Sequence, residues 1–212
     1  MKHIINNYFD NVFVIAHPLS KRYDNFIKRW DNLSFNLSKF VNRDIDCINI
    51  DGYVEHIFEN INQKIKLKSP LSGGQIAVAL AHMLIYDEII KNNLVNTLVL
   101  EDDIVFESDL NINEALCEEW DILSLFSGFS NGSSILEPIN EITKFTKQWD
   151  RQGVCSYVIK SKEVAKYLFD KQNMLMDTAD GVICDNNINV LALYPSACVI
   201  DNSPSIIVNG LY

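Results

Sequence analysis

The segment from residue 75 to residue 92 most constrains the fold, because apolar side chains occur on nearly every side of the helix that it predicts. A helix with this pattern is normally buried against a sheet. Asn92 and Asn93 then provide a stop signal, and residues 97–100 form a short apolar run of strand type. The sequence therefore predicts a buried helix that leads directly into a strand of the sheet that covers it.

Short apolar runs alternate with helical patterns along the rest of the chain. Strands are predicted at residues 12–16, 45–50, 97–100, 120–126, 154–159, 190–193 and 197–200, and further helices after Ser20 and after Ser161. This alternation predicts an α/β fold with a mainly parallel central sheet flanked by helices. A length of 212 residues suits a single domain, residues 1–212, since a chain of this size buries one sizeable core.

Charge and cysteine usage exclude several classes of function. A formal net charge of −10 disfavours nucleic acid and anionic lipid as partners. No apolar run approaches the roughly 20 residues that span a bilayer, and residues 1–9 lack the apolar core of a secretory signal. Five scattered cysteines without a C-x-x-C pair predict reduced thiols rather than disulfides or zinc. We expect a soluble cytoplasmic protein, with at most peripheral contact at the inner face of a membrane and an open oligomeric state.

Three acidic residues, Glu101, Asp102 and Asp103, follow the predicted strand 97–100. Ligands of open α/β sheets bind beyond the carboxyl ends of the strands. In an extended segment Glu101 and Asp103 share one face and Asp102 takes the other. Adjoining carboxylates repel unless a cation compensates, and Mn²⁺ or Mg²⁺ binds one or two of them while keeping places for phosphate oxygens. The pattern indicates a metal site for a diphosphate, although a solvated turn or helix cap explains such a triplet equally well.

Five segments, in one order, carry a resemblance to a known family. Residues 74–82 (GQIAVALAH) are similar to G-E-I-G-C-x-x-S-H, and residues 98–104 (LVLEDDI) follow at a similar distance. Weaker matches occur at residues 12–16 with 21–24, at 120–123, at 153–159, and at 179–180 with 193–195. Together they resemble glycosyltransferase family 25, which includes bacterial lipooligosaccharide and collagen galactosyltransferases. Departures occur at Gln75, at Ala77 and Val78, at Ala81 and at Asn25, and they put the donor identity and the rate in doubt.

The resemblance implies a GT-A type fold and an inverting transfer from a UDP-sugar, with galactose as the commonest sugar and a lipooligosaccharide or a protein-linked glycan as acceptor. It also implies a divalent metal, Mn²⁺ or Mg²⁺, at the acidic motif. Asp103 and Glu101 are then the metal ligands, and Asp102 is a partner for hydroxyls of the donor. Asp180, which matches a late aspartate of the family, is the predicted catalytic base, with Asp177 as the alternative.

Further residues are predicted to bind the donor. Ala16 and His17 lie in the loop after the first strand, where a nucleotide base can sit, and Arg22 can pair with a phosphate. Gly74 and Gln75 begin the buried helix, whose free N–H groups suit phosphate. His82 can orient Glu101 from the same helix. The plainer alternatives are a core histidine for His82 and a charged helix face for Arg22.

Two other functions compete with sugar transfer. One is a nucleotidyltransferase or phosphodiesterase that uses the same metal, although no second phosphate-binding motif is evident. The other is a glycan-binding or scaffold protein that keeps the fold without turnover, which the changes at Gln75 and Ala81 suggest. Acceptor recognition is expected in residues 53–70 and 127–150, since such sites are built from loops.

Overall fold

The computed structural model describes residues 9, 11–16, 22, 25–26, 39–41, 73–106, 112, 115, 118–126, 135–139, 142–145, 155–172, 177–194 and 196–201. Three helices are bounded within this part: α1 (Gly73–Asn92), α2 (Lys162–Gln172) and α3 (Ala179–Ile183). Ten strands accompany them: β1 (Asn11–Ile15), β2 (Lys39–Val41), β3 (Thr97–Glu101), β4 (Ile104–Phe106), β5 (Ile122–Ser124), β6 (Ile135–Ile139), β7 (Ile142–Phe145), β8 (Ser156–Ile159), β9 (Val190–Leu193) and β10 (Cys198–Ile200).

Eight strands form the central sheet in the order β2-β1-β3-β8-β5-β9-β7-β6, and β4 pairs with β10 in a separate antiparallel sheet. Six of the eight strands run in one direction, and only β8 and β7 are reversed. The expected α/β fold is confirmed, and the central sheet, predicted to be mainly parallel, is mixed. Each reversed strand lies between neighbours of the opposite direction, so antiparallel pairings are frequent in a sheet whose strands mostly point one way.

Several predicted elements appear with small changes of length. Strand 12–16 is observed as β1, strand 97–100 as β3 and strand 190–193 as β9, while 120–126 shortens to β5. The strand predicted at 45–50 lies outside the described residues. Residues 135–145, expected to be loop, instead supply β6 and β7, which extend the sheet edge beside β9. Proline has no backbone N–H to donate, and Pro138 is tolerated there because β6 lies at the edge of the described sheet.

Apolar side chains cover both faces of the central sheet. On one face the strands pack against α1, α2 and α3, with Phe13, Val99, Tyr157 and Ile159 among the buried residues. On the other face the alternate residues, among them Val12, Leu98 and Val158, pack with Phe26 and Trp120. Burial on both faces explains why these strands are continuous apolar runs rather than alternating ones.

The helix α1 confirms its sequence pattern. Ala79, Leu80, His82 and Tyr86 have no exposed surface. The helix ends where Asn93 adopts φ of 52°, and the N–H of Leu94 donates to the carbonyl of Ile89 at 3.0 Å. This is the arrangement in which a left-handed residue closes the last turn. The chain then enters β3 after a short turn, so α1 runs antiparallel to β3 and its amino end lies toward the carboxyl end of that strand.

Two further expectations bear on the chain as a whole. Cys155, Cys184 and Cys198 are free thiols, as predicted, and Cys47 and Cys117 lie outside the described residues. No helix within the described ranges is both long and apolar enough to cross a membrane. The assignment of residues 1–212 to one catalytic domain stays a prediction.

Candidate functional site

The acidic cluster lies where two parallel strands of the central sheet end. Ile15 of β1 pairs with Glu101, the last residue of β3, so Ala16 comes next to the turn that begins with Asp102. Ala16 and Asp102 are 3% and 4% exposed, while the Glu101 side chain keeps 29% exposure. The rule that ligands bind beyond the carboxyl ends of strands therefore placed Glu101 and Asp102 at the correct edge of the sheet. His17 lies outside the described residues.

Asp102 and Asp103 do not continue the strand, and this corrects the expected alternation of side chains. Both residues form a turn between β3 and β4, and both contact the guanidinium of Arg22. The Arg22 Nη1 atom donates to Asp103 Oδ2 at 2.9 Å, and Nη2 lies 3.2 Å from Asp102 Oδ1. A planar guanidinium can reach two oxygens at once, which suits this bridge. Arg22, predicted to hold a phosphate, here holds the acidic cluster.

Charge and burial make this cluster electrostatically costly. Burial, together with the charges of Asp103 and Asp102, raises the pKa of Glu101 to about 8, although Arg22 opposes the shift. Burial also raises the pKa of Asp103, against the effect of Arg22. Since one guanidinium supplies one positive charge for three carboxyls, additional positive charge would be favourable at this place.

His82 faces the cluster from the middle of α1. Its Nε2 atom lies 3.8 Å from Glu101 Oε1, beyond hydrogen-bond distance, and is buried without a hydrogen-bond partner among the described residues. Its Nδ1 atom is 2.6 Å from the hydroxyl of Tyr157 on β8, which in turn lies 3.4 Å from the hydroxyl of Tyr86. Burial lowers the pKa of His82 to about 4, which the charge of Asp180 only partly offsets. His82 is therefore a neutral donor or acceptor at physiological pH.

Asp180 lies in the first turn of α3 and reaches the same region. Its charge acts on His82, Tyr86, Tyr157 and Cys155, so its carboxylate is within electrostatic range of the buried side chains around Glu101. Asp180 is half-buried, so it also keeps access to solvent. Asp180 and Glu101 thus both act on His82, although Asp180 is separated from Asp103 by 77 positions along the chain.

Asp177, the alternative base, has a local structural task. Its Oδ1 atom accepts from the N–H of Thr178 at 2.9 Å, and its backbone carbonyl accepts from Gln172 Nε2 at 2.8 Å. Thr178 is the N-cap of α3 and accepts from the N–H of Gly181. The carboxylate of Asp177 lies so close over Gly181 that a Cβ atom there would overlap it. These contacts favour Asp180 over Asp177 as the base.

Gly74 and Gln75 lie in the first turn of α1, and Gln75 is half-buried. His82 is level with the end of β3, and seven residues separate it from Gln75. At 1.5 Å per residue, the amino end of α1 therefore extends about 10 Å beyond the acidic cluster. Gly74 and Gln75 are thus on the correct side of the sheet for a donor, but at a distance from the carboxylates.

Sequence reasoning missed three residues of this site. Tyr157 contacts His82, and Tyr86 contacts Tyr157. Tyr157 lies within the segment 153–159 that carried part of the resemblance. Asp201 follows β10, and its N–H donates to the carbonyl of Asp103 at 2.6 Å. Its charge also contributes to the raised pKa of Asp103. The rule that carboxylates at strand ends are candidates would have found Asp201 after the predicted strand 197–200.

The donor set at the cluster fits a hard divalent cation. Asp103 Oδ1 is buried and has no hydrogen-bond partner among the described residues, because Arg22 contacts the other oxygen. Glu101 offers a second, partly exposed carboxyl. No group of three or more His, Cys, Asp or Glu side chains within the described ranges is arranged to hold a metal. Two carboxylates nevertheless suffice for Mg²⁺ or Mn²⁺ when substrate phosphates and water complete the shell.

Comparison with known proteins adds one finding. The family model described as glycosyltransferase family 25 (LPS biosynthesis protein) matches residues 12–182, which is well over half of the chain. The matched segment includes the acidic cluster, Arg22, His82 and Asp180. No curated protein matches the chain.

Proposed function

Because this chain belongs to glycosyltransferase family 25, we propose that it moves a hexose, galactose in the first instance, from a UDP-sugar to a saccharide acceptor with inversion at the anomeric carbon. The acceptor is a lipooligosaccharide precursor or a protein-linked glycan. The description of the family as LPS biosynthesis proteins favours the first of these. Such an acceptor can be lipid-linked, which would bring the enzyme to the cytoplasmic face of a membrane.

The observation that carries this proposal is the position of Glu101 and Asp103 at and just beyond the carboxyl end of β3, with Asp180 acting on the histidine that faces Glu101. Glu101 and Asp103 offer a cation site with an accessible side, and the charge of Asp180 reaches the buried His82. An inverting transfer needs this separation of roles, with positive charge at the leaving diphosphate and a base at the attacking hydroxyl.

We assign the metal to Glu101 and Asp103, where a bound Mn²⁺ or Mg²⁺ would neutralise the charge that develops on the departing UDP. Asp180 accepts the proton of the acceptor hydroxyl as its oxygen forms the new bond to the anomeric carbon. The bond from that carbon to the diphosphate oxygen breaks, and its electron pair leaves with UDP. Arg22 keeps Asp102 and Asp103 in place, and Asp102 is available to donor hydroxyls.

The donor lies, in this proposal, between the loop after β1 and the amino end of α1. Ala16 and His17 border the nucleotide, and the amino end of α1 at Gly74 and Gln75 approaches an anionic part of the donor. Gln75 lies about 10 Å from His82 along the axis of α1, which matches a donor that spans both ends of the site rather than a single phosphate.

Asp103→Asn tests the site. We expect Mn²⁺ with UDP to raise the melting temperature of the parent, because a ligand at 100 times its Kd stabilises a protein by about 2.7 kcal/mol. Asp103→Asn should lose this shift and all UDP release from UDP-galactose, while its unliganded far-UV spectrum stays unchanged.

Asp170→Asn is the matched control, since Asp170 is an exposed carboxylate that pairs with Lys166 at 3.0 Å. It should respond like the parent. A Mn²⁺ shift that survives in Asp103→Asn would show that the site is assigned to the wrong residues.

Product analysis separates the competing functions. Free UDP together with an extended saccharide supports sugar transfer, whereas pyrophosphate or nucleotide monophosphate indicates a nucleotidyltransferase or phosphodiesterase. Binding of UDP-sugars without UDP release, across several donors and acceptors, would indicate a protein that keeps the fold without turnover. A panel of UDP-hexoses measured in the same assay decides the donor sugar.

A further inference from the structure

Three fully buried polar side chains connect the interior of the protein to the acidic cluster. Tyr86 and His82 are on α1, and Tyr157 is on β8; none of the three has exposed surface. The hydroxyl of Tyr86 lies 3.4 Å from that of Tyr157, and the latter lies 2.6 Å from His82 Nδ1. Buried polar groups of this kind are retained at a cost unless each finds a partner. Among the side-chain polar atoms of these three residues, only His82 Nε2 lacks a hydrogen-bond partner within the described part of the protein, and it faces Glu101.

The number of protons allows either direction for these hydrogen bonds, and the distances favour one of the two, since a contact as short as 2.6 Å is typical of an O–H donor. The hydroxyl of Tyr157 has one proton, and a neutral imidazole has one N–H. The short contact of 2.6 Å takes the Tyr157 proton toward Nδ1, and the longer contact of 3.4 Å is then left for the proton of Tyr86. With Nδ1 as acceptor, the ring proton is on Nε2. When Glu101 is ionised, as it is when it binds a cation, an N–H aimed at its carboxylate is attractive, whereas a lone pair in that place would repel it.

We propose that Tyr157 is a positioning residue that fixes His82 as the Nε2–H tautomer, so that this N–H orients the Glu101 carboxyl for the divalent cation. The distance from His82 Nε2 to Glu101 Oε1 is 3.8 Å, and it needs to shorten by about 1 Å to become a hydrogen bond. The functional part of this inference rests on the proposed function, but the assignment of the tautomer does not.

The role of Tyr157 is distinct from packing because its effect passes through a proton on a neighbouring ring. Residues that hold a metal ligand in place through a hydrogen bond typically change metal affinity by roughly 10- to 100-fold when removed. Tyr86 contacts only Tyr157 in this chain of hydroxyls, and at the longer distance, so its contribution should be smaller. The charge of Asp180 also acts on both His82 and Tyr157, and Asp180 is left unchanged in the variants below.

Nitrogen-15 NMR of the metal-free protein tests the tautomer directly. The shifts of the ring nitrogens tell a protonated nitrogen from an unprotonated one, and the His82→Asn variant identifies the His82 signals among the four histidines. We expect Nε2 protonated and Nδ1 unprotonated in the parent. Tyr157→Phe should produce a mixture of tautomers and weaken Mn²⁺ binding about 10-fold, and Tyr86→Phe should change the affinity by less than about threefold.

A pair of histidine variants covers the case in which Tyr157→Phe fails to fold. The amide nitrogen of glutamine can occupy the place of Nε2, whereas that of asparagine can occupy only the place of Nδ1. His82→Gln should keep Mn²⁺ affinity within about threefold of the parent, and His82→Asn should lose about 10-fold.

Three results would overturn the inference: a protonated Nδ1 in the parent, an unchanged tautomer in Tyr157→Phe, or equal affinities in the two histidine variants. If the tautomer is as expected and responds to Tyr157→Phe, but the parent neither binds Mn²⁺ nor releases UDP, then the hydrogen-bond assignment stands and the proposed function fails.

Discussion

At the scale of single residues, Arg22 supplies the positive charge that the acidic cluster needs in the absence of a metal. It contacts Asp102 and Asp103 at 3.2 and 2.9 Å, and its side chain is only 15% exposed. Removal of one partner from a buried ion pair costs about 3 kcal/mol or more, because the remaining charges stay buried without compensation. Arg22 is therefore as important for the metal-free fold as for any ligand.

We expect Arg22→Met to lower the free energy of unfolding by about 3 kcal/mol in the presence of EDTA. Mn²⁺ should restore part of this loss and stabilise the variant more than the parent, because the cation then meets uncompensated carboxylates. Urea unfolding with and without Mn²⁺ measures both effects. Lys166→Met, which breaks an exposed pair, should cost less than about 0.5 kcal/mol; equal losses in the two variants would contradict the role given to Arg22.

His82 gives the metal-free protein a defined pH dependence. Burial lowers its pKa from 6.5 in the unfolded chain to about 4 in the fold. Between these values the unfolded chain binds a proton that the folded chain does not, so the free energy of unfolding falls as the pH decreases from 6.5 to 4, and the contribution is constant above 6.5.

We therefore expect the parent to lose about 2 kcal/mol more stability than His82→Gln between pH 7 and pH 4.5, measured by urea unfolding in EDTA. Glu101, whose raised pKa has the opposite effect, is present in both proteins and cancels in the difference. Parallel pH profiles for the parent and His82→Gln would show that His82 is not buried in its neutral form.

At the scale of elements, the short helix α3 uses two aspartates differently. Asp177 contacts the N-cap residue, and Asp180 lies in the first turn. Thr178 caps the helix, Asp177 accepts from the N–H of Thr178, and Gly181 leaves room for the Asp177 carboxylate. The charge of Asp180, in the first turn, acts on His82 and Tyr157. The position of Asp180, the proposed base, thus depends on the contact between Asp177 and Gly181.

Gly181→Ala should displace the Asp177 carboxylate, break its bond to Thr178, and destabilise the protein by about 1 kcal/mol. We also expect a loss of UDP release, since Asp180 shifts with the first turn of α3. The double variant Asp177→Ala, Gly181→Ala should recover activity relative to Gly181→Ala alone, because the overlap is gone. Non-recovery would place the damage in the helix backbone rather than in this contact.

At the scale of the whole molecule, a sheet covered on both faces supports a costly cluster of charges at one end. Cys155 and Cys198 lie beneath that cluster, 5% and 0% exposed, and Cys184 is half-buried on the side of the helices. Burial, followed by the charges of Glu101 and other nearby groups, raises the pKa of the Cys155 thiol well above its usual range. Low exposure and suppressed ionisation therefore both protect the Cys155 thiol in the folded protein.

We expect iodoacetamide at pH 8 to modify Cys155 and Cys198 more slowly in the folded protein than in urea, by on the order of 10³-fold or more, because a stability of ~5 kcal/mol limits the open population to that degree. Cys184 should react faster than either. Peptide mapping by mass spectrometry gives the rate at each cysteine separately. Fast modification of Cys155 in the folded protein would mean that the region beneath the acidic cluster opens locally.

The sequence by itself determined the buried helix α1 and the position of the acidic centre. The apolar pattern of residues 75–92 fixed α1, because a helix that is apolar all round has to be buried, and Asn93 ended it in a left-handed turn. Glu101 at the end of β3 followed from the general position of ligands in α/β sheets. These features depend on neighbours along the chain, and so they can be inferred from local patterns.

Only the tertiary structure decided which side chains meet at that centre. Arg22 reaches Asp103 across 81 positions, and Tyr157 reaches His82 across 75. The reversed directions of β8 and β7 likewise arise from pairing between distant strands. Such contacts depend on how the elements pack, because a local pattern states which face of an element is apolar but not which partner covers it. For the same reason the turn at Asp102 and Asp103, which brought both carboxylates to one guanidinium, was not foreseen from the alternation of a strand.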